Sequence, residues 1–256
     1  MTAVRRTVVL LHAFPLSAQM WTEQSARLAE RGCQVLTPDQ RGFGAIPLGD
    51  DPPSLDVVAD DVARLLDADA LDQVVLGGIS MGGYVAMAML RRHADRVCAL
   101  ILMDTKASAD APPAVENRER IARTILAERT PRVLVDDVLP GLVGKTTRRE
   151  RPQALARIRS LAEEASPESV AWAQRAMAAR PDSTDTLRGT TVPALVLVGE
   201  EDELSTVEDA QAMADALPRS RLVTVPRAGH LTPLETPAEV NAELTEFLVG
   251  LDASRI

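Results

Sequence analysis

Gly78-Ile79-Ser80-Met81-Gly82 sets a hydroxyl between glycines two residues away on either side, after the apolar run Gln73–Leu76 and before the helical stretch Tyr84–Arg92. Placed between a strand and a helix, G-x-S-x-G forces a sharp turn that lifts the serine Oγ above the strand end, at a helix N-terminus whose N–H groups favour negative charge. A serine hydroxyl is a weak nucleophile until a positioned base takes its proton. The chain offers three histidines. His93 ends the helix after Ser80 and is expected to face solvent or to cap that helix, while His12 ends the first apolar run. His230 follows the last run, Arg221–Val225, which in a parallel sheet brings it to the same edge as Ser80. An imidazole acting as base needs a carboxylate to orient it. Asp202, after Val192–Val198, is the expected one, with Glu200, Glu201 and Glu203 as substitutes should the loop register differ. Asp104, after Val97–Met103, reads instead as a turn or cap residue at a hinge. Attack on a carbonyl would create an oxyanion, for which position supplies two backbone donors, the N–H groups of Met81 and Phe14.

These residues need elements to hold them. Six apolar, β-branched runs recur, at Thr7–Leu11, Gln34–Thr37, Gln73–Leu76, Val97–Met103, Val192–Val198 and Arg221–Val225. They lack the alternation of a half-exposed sheet and fit strands buried on both faces of a parallel one. Helical patterns near 18–31, 55–67, 81–93, 206–216 and 237–249 separate them, with Ser54 as N-cap of the second. The result is an α/β, doubly wound, mainly parallel sheet of about six strands. Residues 105–188 carry only helical patterns, around 115–129, 132–138, 152–164 and 167–179, far beyond a usual connection of about 2–6 residues. They are expected to form an inserted helical cap over a core of residues 1–104 and 189–256, roofing the carboxyl ends of the strands where ligands bind. From Glu116 to Arg159, eleven basic residues face six acidic ones, a local +5 within a chain of net charge -9. This is either a solvated surface docked on an acidic core or a source of arginines, such as Arg148 and Arg149, that attract an anionic substrate.

Composition narrows the classes. Hydrophobic residues are 46% and charged residues 25% of 256, ordinary for a globular chain. Nothing approaches the roughly 20 apolar residues of a membrane span, and an acidic chain without a basic stripe is not expected to bind nucleic acid. The two cysteines, Cys33 and Cys98, suggest neither a disulfide framework nor a metal site, with Cys98 expected as a small buried thiol. Arg5-Arg6 precedes an apolar stretch too short for a signal sequence, so the expected location is cytoplasmic.

With these residues in place the chain resembles an α/β-hydrolase over almost its whole length, nearest the branch of 3-oxoadipate enol-lactonases, small carboxylesterases and cofactor-free haloperoxidases. The resemblance rests on HAFPLSAQMW (12–21), PDQRGFG (38–44), GISMGGYVA (78–86), LVGEEDELS (197–205) and PRAGHLTPLE (226–235). It implies Ser80 as nucleophile, Asp202 as acid, His230 as base, Phe14 and Met81 as oxyanion hole, a structural Arg41, and no cofactor or metal. It also implies a serine hydrolase of carboxylic esters or lactones working through an acyl-enzyme. The alternatives are a perhydrolase, a C–C bond hydrolase, an acyltransferase, or a ligand binder without turnover. The aspartate nucleophile of epoxide hydrolases and dehalogenases does not match Ser80. His12, Trp172 and Leu231 are candidate pocket walls beside Phe14 and Met81, and Trp172 is equally an internal packing residue. Two departures stand out. Ala13 replaces the family's usual glycine, and only a few residues precede the first strand, so the family's first two strands are expected to be missing. The sheet order should then be 2-1-3-4-5-6, with strand 33–37 an exposed edge that pairs or is covered. Partners are expected to be a small ester or lactone, neutral or anionic, and, through that edge, a second copy; monomer and homodimer both remain open.

Overall fold

The computed structural model describes residues 6–130 and 134–253. Strands β1 (Thr7–Leu11), β2 (Gln34–Leu36), β3 (Val74–Ile79), β4 (Val97–Met103), β5 (Ala194–Gly199) and β6 (Ser220–Val225) form one sheet. Its order is β2-β1-β3-β4-β5-β6 and every pairing is parallel, as expected. Val9 and Leu11 of β1 enter one hydrophobic cluster, Val8 and Leu10 the other. Leu76 and Val75, Leu100 and Ile101, and Val196 and Leu197 divide the same way. Side chains on a strand alternate faces, so a sheet covered on both sides demands unbroken apolar runs.

Before β4 come α1 (Thr22–Glu30), α2 (Leu55–Ala68) and α3 (Met81–Arg92). Between β4 and β5 lie α4 (Pro112–Glu128), α5 (Lys145–Glu150), α6 (Pro152–Glu163), α7 (Pro167–Ala178) and α8 (Thr184–Arg188). Helix α9 (Val207–Ala216) follows β5, and α10 (Thr232–Glu235) and α11 (Pro237–Ala253) follow β6. Val58, Val62 and Leu66 of α2, Val85 and Met89 of α3, and Met213 of α9 bury one face of the sheet. Leu28 of α1 with Val240, Leu244 and Leu248 of α11 bury the other. Of the helices between β4 and β5, α4 and α7 pack on each other, with Ile125, Val170 and Met177 joining the first cluster, while Ile158 and Leu161 of α6 join the second. No helix is long and apolar enough to cross a membrane among the described residues.

Local chemistry explains the boundaries. Ser54 Oγ accepts the Asp56 N–H at 3.2 Å and starts α2. Strand β3 runs past Leu76 to Ile79 because β1 and β4 pair with Gly77 and Gly78 on both sides. Strand β5 begins at Ala194, after Pro193, which has no N–H to give the ladder. The helix expected over 132–138 is a π-helical turn at Leu134–Val138, with 131–133 outside the described residues. Pro140 then steers the chain into a 3-10 turn, Leu139–Leu142. Cys98 is half-buried rather than buried, since it sits near the start of β4 at the rim of its cluster. His93 caps α3 as expected, its backbone N–H donating to Met89 O, while its ring Nε2 lies 2.7 Å from Asp60 Oδ1 and ties the end of α3 to α2. Arg41 is structural, gripping both oxygens of Asp61 at 2.8 and 2.9 Å.

Candidate active site

Parallel strands end together, so the loops after β1, β3, β4, β5 and β6 meet at one edge of the sheet. Ser80, between β3 and α3, has φ 51° and ψ -115°. Such a conformation costs about 1–3 kcal/mol unless its surroundings fix it. Here they do: Ser80 N–H donates to Met103 O at 3.0 Å, and Ser80 O accepts from Thr105 Oγ1 at 2.9 Å and from Tyr84 N–H at 3.1 Å. The flanking glycines are required by space. A Cβ on Gly78 would stand 2.1 Å from Gly82 O, and one on Gly82 would stand 2.2 Å from Leu11 O.

His230 Nε2 lies 2.8 Å from Ser80 Oγ, and its Nδ1 lies 2.8 Å from Asp202 Oδ2. All three residues are buried. Asp202 Oδ1 accepts from Leu204 N–H at 2.8 Å and Ser205 N–H at 3.0 Å, which fixes the carboxylate plane. Burial pushes the His230 pKa down, but the Asp202 charge and hydrogen bond outweigh it and hold the imidazole above its ordinary value. Hydroxyl, imidazole and carboxylate in series can move a proton off the hydroxyl while the charge on the ring is stabilised. The N–H groups of Met81 and Phe14 have no protein acceptor among the described residues, so both can serve an oxyanion.

A cavity of about 220 Å³ opens on Ser80 and His230. Phe14 and Tyr84 line it from the sheet side, and Ile121, Val138, Leu142 and Met177 line it from the segment between β4 and β5. Its polar wall is Lys106, Asp110, Asn117, Arg118 and Gln174. Asp110 accepts from Arg118 Nε at 2.5 Å and from Arg180 Nη2 at 2.8 Å. Burial pushes the Asp110 carboxyl up, yet the two guanidiniums hold it below the ordinary range. Arg180 also stacks 3.9 Å over the Tyr84 ring. Two guanidiniums sharing one carboxylate, with Lys106 beside them, leave this wall positively charged.

Three expected pocket residues stand elsewhere. His12 lies under the β1 loop, fully buried, accepting Gln40 N–H at Nε2 (2.9 Å) and donating from Nδ1 to Ala13 O (3.0 Å). Trp172 packs in the first cluster and donates Nε1–H to Asp51 O at 2.9 Å. Leu231 is 0% exposed in the second cluster, because the chain after His230 turns back into the sheet's covering layer. Arg148 and Arg149 bond Pro140 O and Glu150 instead of lining the cavity. Sequence reasoning also missed the carboxylates that hold the loops. Glu235 collects the N–H groups of Gly144, Gly229 and Leu231 within 2.9–3.1 Å, and Glu201 accepts from Thr146 N–H and Oγ1 at 2.8 and 2.6 Å. Gly144 and Thr146 belong to the segment between β4 and β5, so it is fastened to the loops of His230 and Asp202. The legible signals were Glu235 falling within the PRAGHLTPLE stretch and Glu201 within LVGEEDELS.

A family model described as alpha/beta hydrolase family matches residues 8–243. An esterase from Thermogutta terrifontis, solved with malate bound, superposes with a TM-score of 0.93 at 41% identity, covering 97% of this chain and 91% of that one. The enol-lactonase from Burkholderia xenovorans LB400 superposes with a TM-score of 0.88 at 28% identity, covering 96% and 92%. Epoxide hydrolase A of Mycobacterium tuberculosis is 30% identical over 293 aligned residues, covering 96% of this chain and 91% of its own length.

Burial lowers the His12 pKa from 6.5 to about 4. The unfolded chain therefore takes up a proton between those values that the folded chain refuses. The stability is intact above pH 6.5 and is lost as pH falls toward 4, by up to about 3 kcal/mol. Thermal unfolding of wild type should show Tm dropping across that window, and His12→Asn should show a shallower drop; equal slopes would contradict this reading.

Proposed function

The chain belongs to the alpha/beta hydrolase family, and from that premise we propose that it is a serine hydrolase of carboxylic esters or lactones working through an acyl-enzyme on Ser80. One observation carries the reading: a single buried imidazole lies 2.8 Å from both the Ser80 hydroxyl and the Asp202 carboxylate. His230 Nε2 takes the Ser80 proton as Oγ attacks the carbonyl carbon. Asp202 holds Nδ1–H and stabilises the imidazolium. The oxyanion receives the Phe14 and Met81 N–H groups, each worth on the order of 3–4 kcal/mol. His230 then gives its proton to the leaving alkoxide, and water, deprotonated by the same ring, releases the acid. Resemblance to an epoxide hydrolase in sequence does not move this reading, because the residue in the left-handed turn is Ser80.

The substrate we infer carries a negative charge. Lys106 and Arg118 stand on the cavity wall, and the only carboxylate among the lining residues, Asp110, is already shared by two guanidiniums. A carboxylate on the ester or lactone would find a charge-assisted partner there.

Three outcomes follow. Ser80→Ala should cut kcat by ~10⁴-fold or more on any ester the wild type cleaves, with the fold intact by circular dichroism; a loss under tenfold would refute an acyl-enzyme on Ser80. Because His230 must be neutral to act and its pKa is held above that of an ordinary histidine, kcat/KM should rise with pH through an inflection above the ordinary histidine value. An inflection below that value would contradict the Asp202 partnership. Lys106→Met and Arg118→Gln should each lower the kcat/KM ratio of an anionic over a matched neutral ester about tenfold, the worth of one such bond; an unchanged ratio would remove the charge preference.

A further inference from the structure

Asp104 is a buried carboxyl that the proposed mechanism does not use. It ends β4 with φ +43°, a left-handed conformation that aspartate and asparagine tolerate better than most residues. Its N–H donates to Leu197 O at 2.9 Å, and its side chain crosses the top of the sheet. Oδ1 accepts from Gly199 N–H at 2.9 Å, where the loop leading to Asp202 leaves β5. Oδ2 lies 2.5 Å from Thr232 Oγ1 and 3.2 Å from Thr232 N, two residues beyond His230. One carboxyl thus joins the end of β4, the loop of the acid and the loop of the base.

The charged neighbours of this carboxyl are Asp202 and His230, and it pairs with no lysine or arginine among the described residues. An ionised Asp104 would be a second anion, wholly out of water, facing an Asp202 that must stay charged to serve His230. Two carboxylates sharing a buried site do not both ionise readily. Thr232 Oγ1, 2.5 Å from Oδ2, donates to an ionised Asp104 and would accept from a protonated one, so full burial with no cationic partner, beside Asp202, decides for the protonated form.

We propose that Asp104 is a positioning residue, a neutral carboxyl at neutral pH that donates its proton to Thr232 Oγ1 and locks the Gly199–Asp202 and His230–Thr232 loops in register. It does not touch the reacting atoms. It sets the distance over which Asp202 reaches His230, and by remaining uncharged it leaves Asp202 as the carboxylate that bonds the imidazole. Burial, reinforced by the nearby Asp202 charge, raises its pKa to about 8, in keeping with this role. The catalytic part of the proposal rests on the triad reading given above; the protonation part does not.

The test compares wild type, Asp104→Asn and Asp104→Ala between pH 5 and 9, by thermal unfolding and by kcat and KM on a p-nitrophenyl ester. Asparagine keeps the shape, the left-handed tolerance and the bonds to Gly199 N–H and Thr232 Oγ1, but holds no proton. In wild type the folded chain keeps a proton from about pH 4 to about 8 that the unfolded chain releases, so wild-type stability declines as pH rises through that window. The Tm of Asp104→Asn relative to wild type should therefore climb steadily from pH 5 to 8 and level off above. At pH 7 Asp104→Asn should keep kcat within about threefold, and the acid limb of its kcat/KM profile should overlay that of wild type. Asp104→Ala should lose kcat on the order of thirtyfold with KM nearly unchanged, as small misplacements of catalytic groups do. Should the alanine variant not fold, Thr232→Val removes the same bond and Thr232→Ser restores it, with kcat following. A flat or falling Tm difference, or an acid limb in Asp104→Asn displaced downward by about half a pH unit or more, would show an ionised Asp104 and overturn the proposal. Tm needs no substrate, so a wild type with no ester turnover would count against the proposed function while the Tm slope still decides the protonation of Asp104.

Discussion

The imidazole of His230 is out of water and held at both nitrogens, by Ser80 Oγ and by Asp202 Oδ2, each at 2.8 Å. A buried ring that must carry charge during a proton transfer tolerates little slack, because a misplaced partner leaves a desolvated charge uncompensated. Much of the surrounding structure can be read as meeting that demand. The left-handed turn at Ser80 is fixed by bonds to Met103, Thr105 and Tyr84. Asp202 is aimed by two N–H groups of its own loop. The His230 loop is gathered by Glu235 below and Asp104 beside it. These loops leave strands whose parallel pairing is fixed by side chains buried on both faces, so the rigidity of the site derives from the sheet.

The segment between β4 and β5 contributes in two ways. Gly144 and Thr146 bind Glu235 and Glu201, which stand next to the loops of the base and the acid, so this stretch acts as a strut and not as a free flap. Helices α4 and α7, packed on each other, bring Arg118, Gln174 and Met177 to the cavity wall. The fold thus separates two tasks. Loops at the strand ends carry the reacting groups, and helices between β4 and β5 shape and charge the space above them.

The strands were legible because a doubly covered parallel sheet writes itself as unbroken runs such as Thr7–Leu11 and Val97–Met103, their order followed from the resemblance to α/β-hydrolases, and the G-x-S-x-G spacing and the scarcity of histidine singled out Ser80 and His230. The pocket walls were not legible. Whether Trp172 or Arg118 faces the cavity depends on the rotation of helices whose polar and apolar residues are mixed, and in α7 Trp172 turns toward Asp51 while Gln174 and Met177 turn inward. The bracing carboxylates were hidden for another reason. Asp104, Glu201 and Glu235 accept mainly from backbone N–H groups, and these leave no side-chain signature in a sequence. Asp104 looked like a turn residue and is one; its reach to Gly199 and Thr232 depends on tertiary placement.

The account stands on an activated hydroxyl at Ser80. Labelling of the folded protein with a fluorophosphonate probe, mapped by mass spectrometry on wild type and Ser80→Ala, tests it most directly. One adduct is expected, on Ser80 and absent from the variant. A folded wild type that forms no adduct, or forms it elsewhere, would contradict it.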